Sequence, residues 1–270
     1  MEGQKPYARF LSRKLAEPEA ETLAFLKRRQ MMDPKDAMLP QNHNMREILE
    51  PGYLPHEYGY CTLPNGGGYI AMRNRMPGVT FEMYCFWKKW WSDAPDSDLR
   101  YRIWYPESHF RAGYRWSCED FGSGPEDLIF LETVTPQGLG LGEAPIPETQ
   151  LLMADGCNVV SKTRVSDPFS APVPGVVCHF VRPLSDGSGI ELRSRFWKGY
   201  QVGPNGFFDA MGPDTPHETE ETLYKLLCHN AYEMANLAAI LPELYAEEKN
   251  TVDLTDNALT PPGAGGRRRT

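Results

Sequence analysis

The chain has 270 residues, with 28 Lys and Arg against 36 Asp and Glu, so its formal net charge is −8; 41% of it is hydrophobic and 11% aromatic. An acidic balance of this kind argues against a nucleic-acid surface, because neutralising phosphates needs clustered cations, and only 27–29 and 267–269 form basic triplets. No window reaches the roughly 18 apolar residues of a membrane helix, and no charged-then-apolar secretory leader is visible, so a cytoplasmic protein is expected.

The six cysteines, Cys61, Cys85, Cys118, Cys157, Cys178 and Cys228, contain no C-x-x-C pair, which fits reduced thiols rather than a disulfide framework or a thiolate zinc site. Gly and Pro, 24 of each, imply many turns and hence many strands.

In chain order, an amphipathic helix is predicted over 19–32 behind Pro18, followed by a Pro- and Gly-rich path through Asn65-Gly66-Gly67-Gly68. Residues 1–75 therefore read as an accessory region wrapped on a larger unit. Pro77-Gly78 ends it, and Thr80 caps a short, very aromatic helix over 81–91. Strands are predicted over 99–105, 112–116, 127–134, 158–164, 176–182 and 189–200, with Ser185 to Gly189 as the hairpin turn between the last two. From 217 to 248 the apolar positions Leu223, Leu226, Leu227, Met234, Leu237 and Leu241 recur at three-to-four spacing, marking one long helix that Pro242 is placed to kink or restart. Residues 249–270 carry Pro261 to Gly266 and nothing to bury, the composition of a disordered tail. An aromatic helix, antiparallel strands and a long closing helix predict an α+β domain over 76–248, a curved sheet gripping that helix, with a cavity between them.

His229 and Glu233 stand four apart on the long helix and project from one face, where they can share a metal ion. A Glu-rich helix also produces such a pair by chance. Leu226, Leu237 and Ile240 on the same face turn both groups toward an apolar interior, where they need partners. Glu132 alternates with Leu128, Phe130 and Val134, putting a carboxylate in an apolar row; a strand-end glutamate paired with arginine would look the same. His109 follows the aromatic stretch ending in Tyr105-Pro106, as a ligand or as an ordinary loop histidine. Together His109, Glu132, His229 and Glu233 would form an N2O2 set suited to zinc.

His179 lies in the apolar row Val177-His179-Val181, and Tyr101 shares a strand face with Ile103 and Tyr105; a core histidine bonded to a carbonyl and plain aromatic packing are the alternatives. His43, His56 and His217 carry no assigned role. There is no nucleophile elbow, P-loop or dinucleotide fingerprint.

Several stretches resemble the diacetylphloroglucinol hydrolase and phloretin hydrolase family: Met76-Pro77-Gly78-Val79-Thr80, Arg100 to Pro106 leading to His109, Cys178 to Arg182, Glu191 to Trp197, and His229 to Tyr245. The resemblance implies a helix-grip fold like that of pollen-allergen and START proteins, a homodimer, and a zinc-dependent enzyme that cleaves the carbon–carbon bond between an acyl group and a phloroglucinol ring. It implies His109, Glu132, His229 and Glu233 as zinc ligands, with Glu126 and Glu143 competing for the place of Glu132. It puts Tyr101 and His179 near the substrate as candidate proton donors. Trp104, Tyr105 and Trp197 are the aromatic residues expected to wall a flat substrate. The chain departs from the family where Trp-His-Pro becomes Trp104-Tyr105-Pro106 and in Phe110 to Gly113 after His109. A cyclase, isomerase or pericyclic catalyst on the same fold, or a hydrophobic-ligand carrier, are the rival readings.

Overall fold

The computed structural model describes residues 5–41, 43–92, 94–109, 111–113, 128–142, 151–162 and 173–254. Helix α1 spans Ala20–Arg28 and stops where Arg29 turns left-handed at φ 45°, its N–H bonded to Leu26 O, so it is shorter than the 19–32 predicted.

Two strands arise where an irregular path was expected: β1 (Gly59–Thr62) and β2 (Gly68–Pro77), the latter running through residue 75. The glycines between them are the hairpin turn. Gly66 has φ +86°, and a Cβ on Gly67 would meet the carbonyl oxygen of Lys198.

Helix α2 (Phe81–Ser92) starts as predicted, with Thr80 Oγ1 accepting from the Met83 N–H at 3.2 Å, and it buries Tyr84, Phe86, Trp87, Trp90 and Trp91. The next element corrects the sequence reading: 99–105 is not a strand but lies mostly in helix α3 (Ser97–Trp104). Its Leu99 and Ile103 are buried one turn apart, and Arg100 reaches back to Asp96 at 2.9 Å, a helical i,i+4 pair. Tyr101 and Ile103 therefore do not share a strand face with Tyr105.

The remaining strands are β3 (Arg111–Gly113), β4 (Leu128–Val134), β5 (Met153–Lys162), β6 (Val173–Pro183), β7 (Gly189–Lys198), β8 (Tyr200–Gly203) and β9 (Gly206–Asp209). β5 begins five residues before its predicted start, and residues 114–116 of another predicted strand lie outside the described residues. The long strand predicted to residue 200 is divided at Gly199, which has φ +83°. Among the described residues the main sheet has the order β1-β2-β7-β6-β5-β4-β3, antiparallel except for the β3–β4 pair. β8 and β9 form a separate hairpin.

Helix α4 (Glu220–Glu248) opens on a Thr219–Thr222 capping box, with Glu220 and Glu221 complementing the positive end of its dipole. Pro242 sits inside the helix without ending it. Leu223, Leu227 and Ala231 pack on Ile70 and Met72 of the sheet, while Leu237, Ile240 and Leu241 join Trp87 and Trp90.

The sheet thus has two differently covered faces. Pleat alternation and register put Ile70, Met72, Ser194, His179 and Asp155 on the face turned to α2 and α4. Tyr69, Ala71, Cys178, Phe180 and Trp197 point the other way, into a second core closed by Ala37 to Leu49 and by Leu139, Leu141 and Leu151.

Candidate metal centre

Three side chains from two places in the chain meet between α3 and α4. Helix α4 presents His229 and Glu233 from successive turns. The turn after α3 delivers His109, its N–H bonded to Tyr105 O at 2.8 Å. His109 Nε2 lies 3.2 Å from His229 Nε2 and 3.2 Å from Glu233 Oε2, and His229 Nε2 is 3.4 Å from the same oxygen.

The chemistry of this triangle is specific. Two imidazole nitrogens at hydrogen-bond distance repel as lone pairs unless a proton or cation sits with them. Donors on a tetrahedral ion with bonds of about 2.0–2.1 Å stand roughly 3.3–3.4 Å apart, the spacing seen here. Among the described residues, His109, His229 and Glu233 are also the group of potential ligands close enough to hold one ion.

Surrounding bonds fix each ligand. His109 Nδ1 faces the Tyr101 carbonyl at 3.2 Å, so a ring with its hydrogen on Nδ1 leaves the Nε2 lone pair free for an ion. The ring lies flat against Tyr101, with centroids 3.9 Å apart and planes at 4°, and meets Trp104 edge-on. Glu233 Oε1 accepts from Asn230 Nδ2 at 2.9 Å, and Asn230 Oδ1 accepts from Asn74 Nδ2 of β2 at 2.8 Å. Trp104 Nε1 donates to the Glu233 carbonyl at 3.0 Å, and Asn236 Nδ2 donates to the Trp104 carbonyl at 2.8 Å. These contacts lock α3 to α4 across the site.

Electrostatics follow from burial. Burial opposes charge on Glu233, yet the two histidines beside it hold the carboxyl well below the usual carboxylate range. Burial depresses the His109 imidazole, which favours the neutral form that binding an ion requires. Burial, reinforced by the Glu107 and Glu233 charges, pushes the Tyr105 phenol up to about 12. His229 is the more open of the three, its side chain 26% exposed, and Tyr105 covers it edge-on.

A family model described as the DAPG hydrolase PhiG domain matches residues 38–117 and 114–246. The chain belongs to this family. Among curated relatives, the phloretin hydrolase of Eubacterium ramulus is 28% identical over 271 residues, covering 93% of both chains. The 2,4-diacetylphloroglucinol hydrolase of Pseudomonas protegens is 25% identical over 280 residues, 90% of this chain and 84% of that one. A 2,4-diacetylphloroglucinol hydrolase from a Pseudomonas species is likewise 25% identical, over 90% of this chain and 88% of its own. The family resemblance read from the sequence is thereby established.

The structure brings together part of the residue set expected of this family member. His109, His229 and Glu233 meet, with Tyr101, Trp104 and Tyr105 around them. Glu132 does not join them: it is exposed, registers with Asn158 and accepts from Asn158 Nδ2 at 3.1 Å. Asn158 in turn bonds both ways to Val202, so this carboxylate belongs to the face away from α4. Glu126 and Glu143 lie outside the described residues, as does Cys118. Trp197 is also on the far face, fully buried, with Nε1 donating to Met38 O at 2.6 Å. His179 is on the near face, its Nδ1 2.8 Å from Ser194 Oγ.

Sequence reasoning missed Asn74, Asn230 and Asn236, three buried amides that orient the centre. For Asn230 a signal existed: an amide inside the helical motif, three residues before Glu233 and on the same face.

Proposed function

We propose that this chain is a metal-dependent hydrolase that cleaves the carbon–carbon bond between an acyl group and a phenolic ring of the phloroglucinol type, by a retro-Claisen route. The observation that carries this reading is the buried His109–His229–Glu233 triangle in a chain related throughout to phloretin and diacetylphloroglucinol hydrolases. The antiparallel sheet with α4 across it is read here as a helix-grip arrangement, and zinc as the ion that suits an N2O donor set.

His109, His229 and Glu233 would hold the ion. When bound, it would supply Lewis acidity toward an acyl or phenolic oxygen and make a water nucleophilic near neutral pH. Asn230 and the Tyr101 carbonyl keep the ligand atoms aimed inward. Trp104 and Tyr105, beside the ligands, exclude bulk water and offer flat faces to an aromatic ring. A ring carbon leaves poorly unless protonated, so a proton donor is required. His179 and Tyr101 are the candidates, and His179 is the better suited, because an imidazole ordinarily exchanges its proton far closer to neutral pH than a phenol does.

Elemental analysis of purified protein combined with product analysis tests the reading. About one zinc per chain, and release of a free carboxylic acid from phloretin or a monoacylphloroglucinol, is expected. Absence of bound metal, or conversion that leaves the carbon skeleton intact, would overturn it.

A further inference from the structure

On the sheet face turned to the candidate centre, one row of polar residues crosses three strands. Ser194 on β7 registers with His179 on β6, which registers with Asp155 on β5. Directly paired residues on a shared face stand within roughly 4.5–5.5 Å at Cβ. From α2, Tyr84 and Lys88, one helical turn apart, both reach Asp155: the Tyr84 hydroxyl donates at 3.1 Å and Lys88 Nζ lies at 2.7 Å. The Asp155 side chain is 10% exposed and that of Lys88 24%.

Such a pair earns little stability, since the cost of stripping water from two charges offsets their attraction. An apolar pair would hold α2 to β5 as well. The row is not a hydrolase triad, because Ser194 is fully buried and the imidazole turns Nδ1 toward it. With Nδ1 engaged, Nε2 is the atom at which His179 can exchange a proton; among the described residues no side chain bonds to it.

We propose that Asp155, held in place by Tyr84 and Lys88, is a positioning residue that strengthens the hold of His179 on the proton it donates in the carbon–carbon cleavage. The inference rests on the reading of His179 as donor given above. In the step, the electron pair of the breaking bond goes to the ring carbon, which takes the proton from His179 Nε2. Water oxygen bonds to the acyl carbon, and the spare water proton returns to His179, giving a carboxylic acid and the deacylated phenol. The charges bearing on the ring are Asp155 from β5, Glu233 from α4 and Lys88 from α2. Burial is the largest influence and leaves His179 below the ordinary imidazole value; Asp155 is the strongest charge working against that, Glu233 adds to it and Lys88 opposes.

NMR titration of ¹⁵N-histidine-labelled protein, with His179 assigned by its loss in H179N, tests the coupling directly. Asp155→Asn is expected to lower the His179 midpoint by about one pH unit or more, and Lys88→Met to raise it. Should D155N fail to fold, K88M and Tyr84→Phe still read the coupling; an unmoved midpoint in the folded variants overturns the proposal. Kinetically, D155N is expected to lower kcat at least tenfold with KM little changed, to move the alkaline limb of the pH profile downward, and to be partly restored in D155E. A D155N profile superimposable on wild type would also overturn it. If the unaltered protein releases no acid from acylphloroglucinols, the functional reading fails, while the titration still decides whether Asp155 governs His179.

Discussion

At the scale of single residues, Asn230 and Trp104 place the candidate ligand atoms without being candidates themselves. Asn230 clamps Glu233 Oε1 and is itself fixed by Asn74; partners of this kind are typically worth 10- to 100-fold in metal affinity. Asn230→Ala is therefore expected to weaken zinc binding by about that factor while the far-UV circular dichroism stays unchanged, measured by competition with a chromophoric chelator. The two tryptophans separate site from core. Trp104→Phe removes the bond to the Glu233 carbonyl and should reduce zinc affinity and turnover. Trp197→Phe removes the bond to Met38 on the opposite face; it should lower stability by about 1–3 kcal/mol in urea unfolding, leaving zinc affinity intact.

At the scale of elements, the far side of the sheet is fastened to the N-terminal segment by charge. Glu57 is buried between Arg193 and Arg195 of β7, with Arg195 Nη2 at 2.9 Å and Arg193 Nε within 3.1 Å, while Arg193 Nη1 also holds Ile48 O at 2.6 Å. Burial would raise this carboxyl, but the two guanidiniums overcome that and hold it down at about 2, against an ordinary 4.5. A depressed carboxylate contributes stability that is complete above its unfolded value and fades as the folded value is approached. Urea midpoints should thus hold down to about pH 4.5 and fall as the pH drops toward 2. Glu57→Gln, which strands two buried cations, should cost about 3–5 kcal/mol near neutrality and flatten that acid limb.

The elements also differ in how far they could be read in advance. The aromatic helix α2 and the long α4 were legible because a cap and a three-to-four apolar period sit in consecutive residues. Helix α3 was misread because Tyr101, Ile103, Trp104 and Tyr105 favour strands; what decides is the burial of Leu99 with Ile103 and the tie from Arg100 to Asp96. β1 and β2 were missed because Gly66 to Gly68 look like a breaker, whereas they form the turn and the first residue of the returning strand in the hairpin at one edge of the sheet.

At the scale of the whole molecule, the candidate centre joins α3 to α4, so an ion bound there fastens the aromatic core to the sheet. An ion that binds only the folded chain stabilises it by about 4 kcal/mol when present at 1,000 times its dissociation constant, and for a chain of this size each kcal/mol is worth roughly 2–4 °C. Chelation is expected to lower Tm by about 8 °C or more in scanning calorimetry, with zinc restoring it. Glu233→Gln should show the lowered Tm without chelator and no response to zinc.

The sequence by itself determined the acidic balance of the chain, its family, its helical closure and the His229–Glu233 pair, because four-residue spacing on a helix fixes a shared face. It also grouped Glu132 with Val134, since alternation is a local property of a strand. Alternation states which residues lie together, not which side of the sheet they occupy. Only the tertiary structure decided that Glu132 and Trp197 lie on the sheet face away from α4 while His179 and Asp155 face α4, because strand register and the packing of α2 and α4 involve residues far apart in the chain. His109 joins its partners for the same reason: a turn after α3, 120 residues before His229, is carried to α4 by packing that no local pattern records.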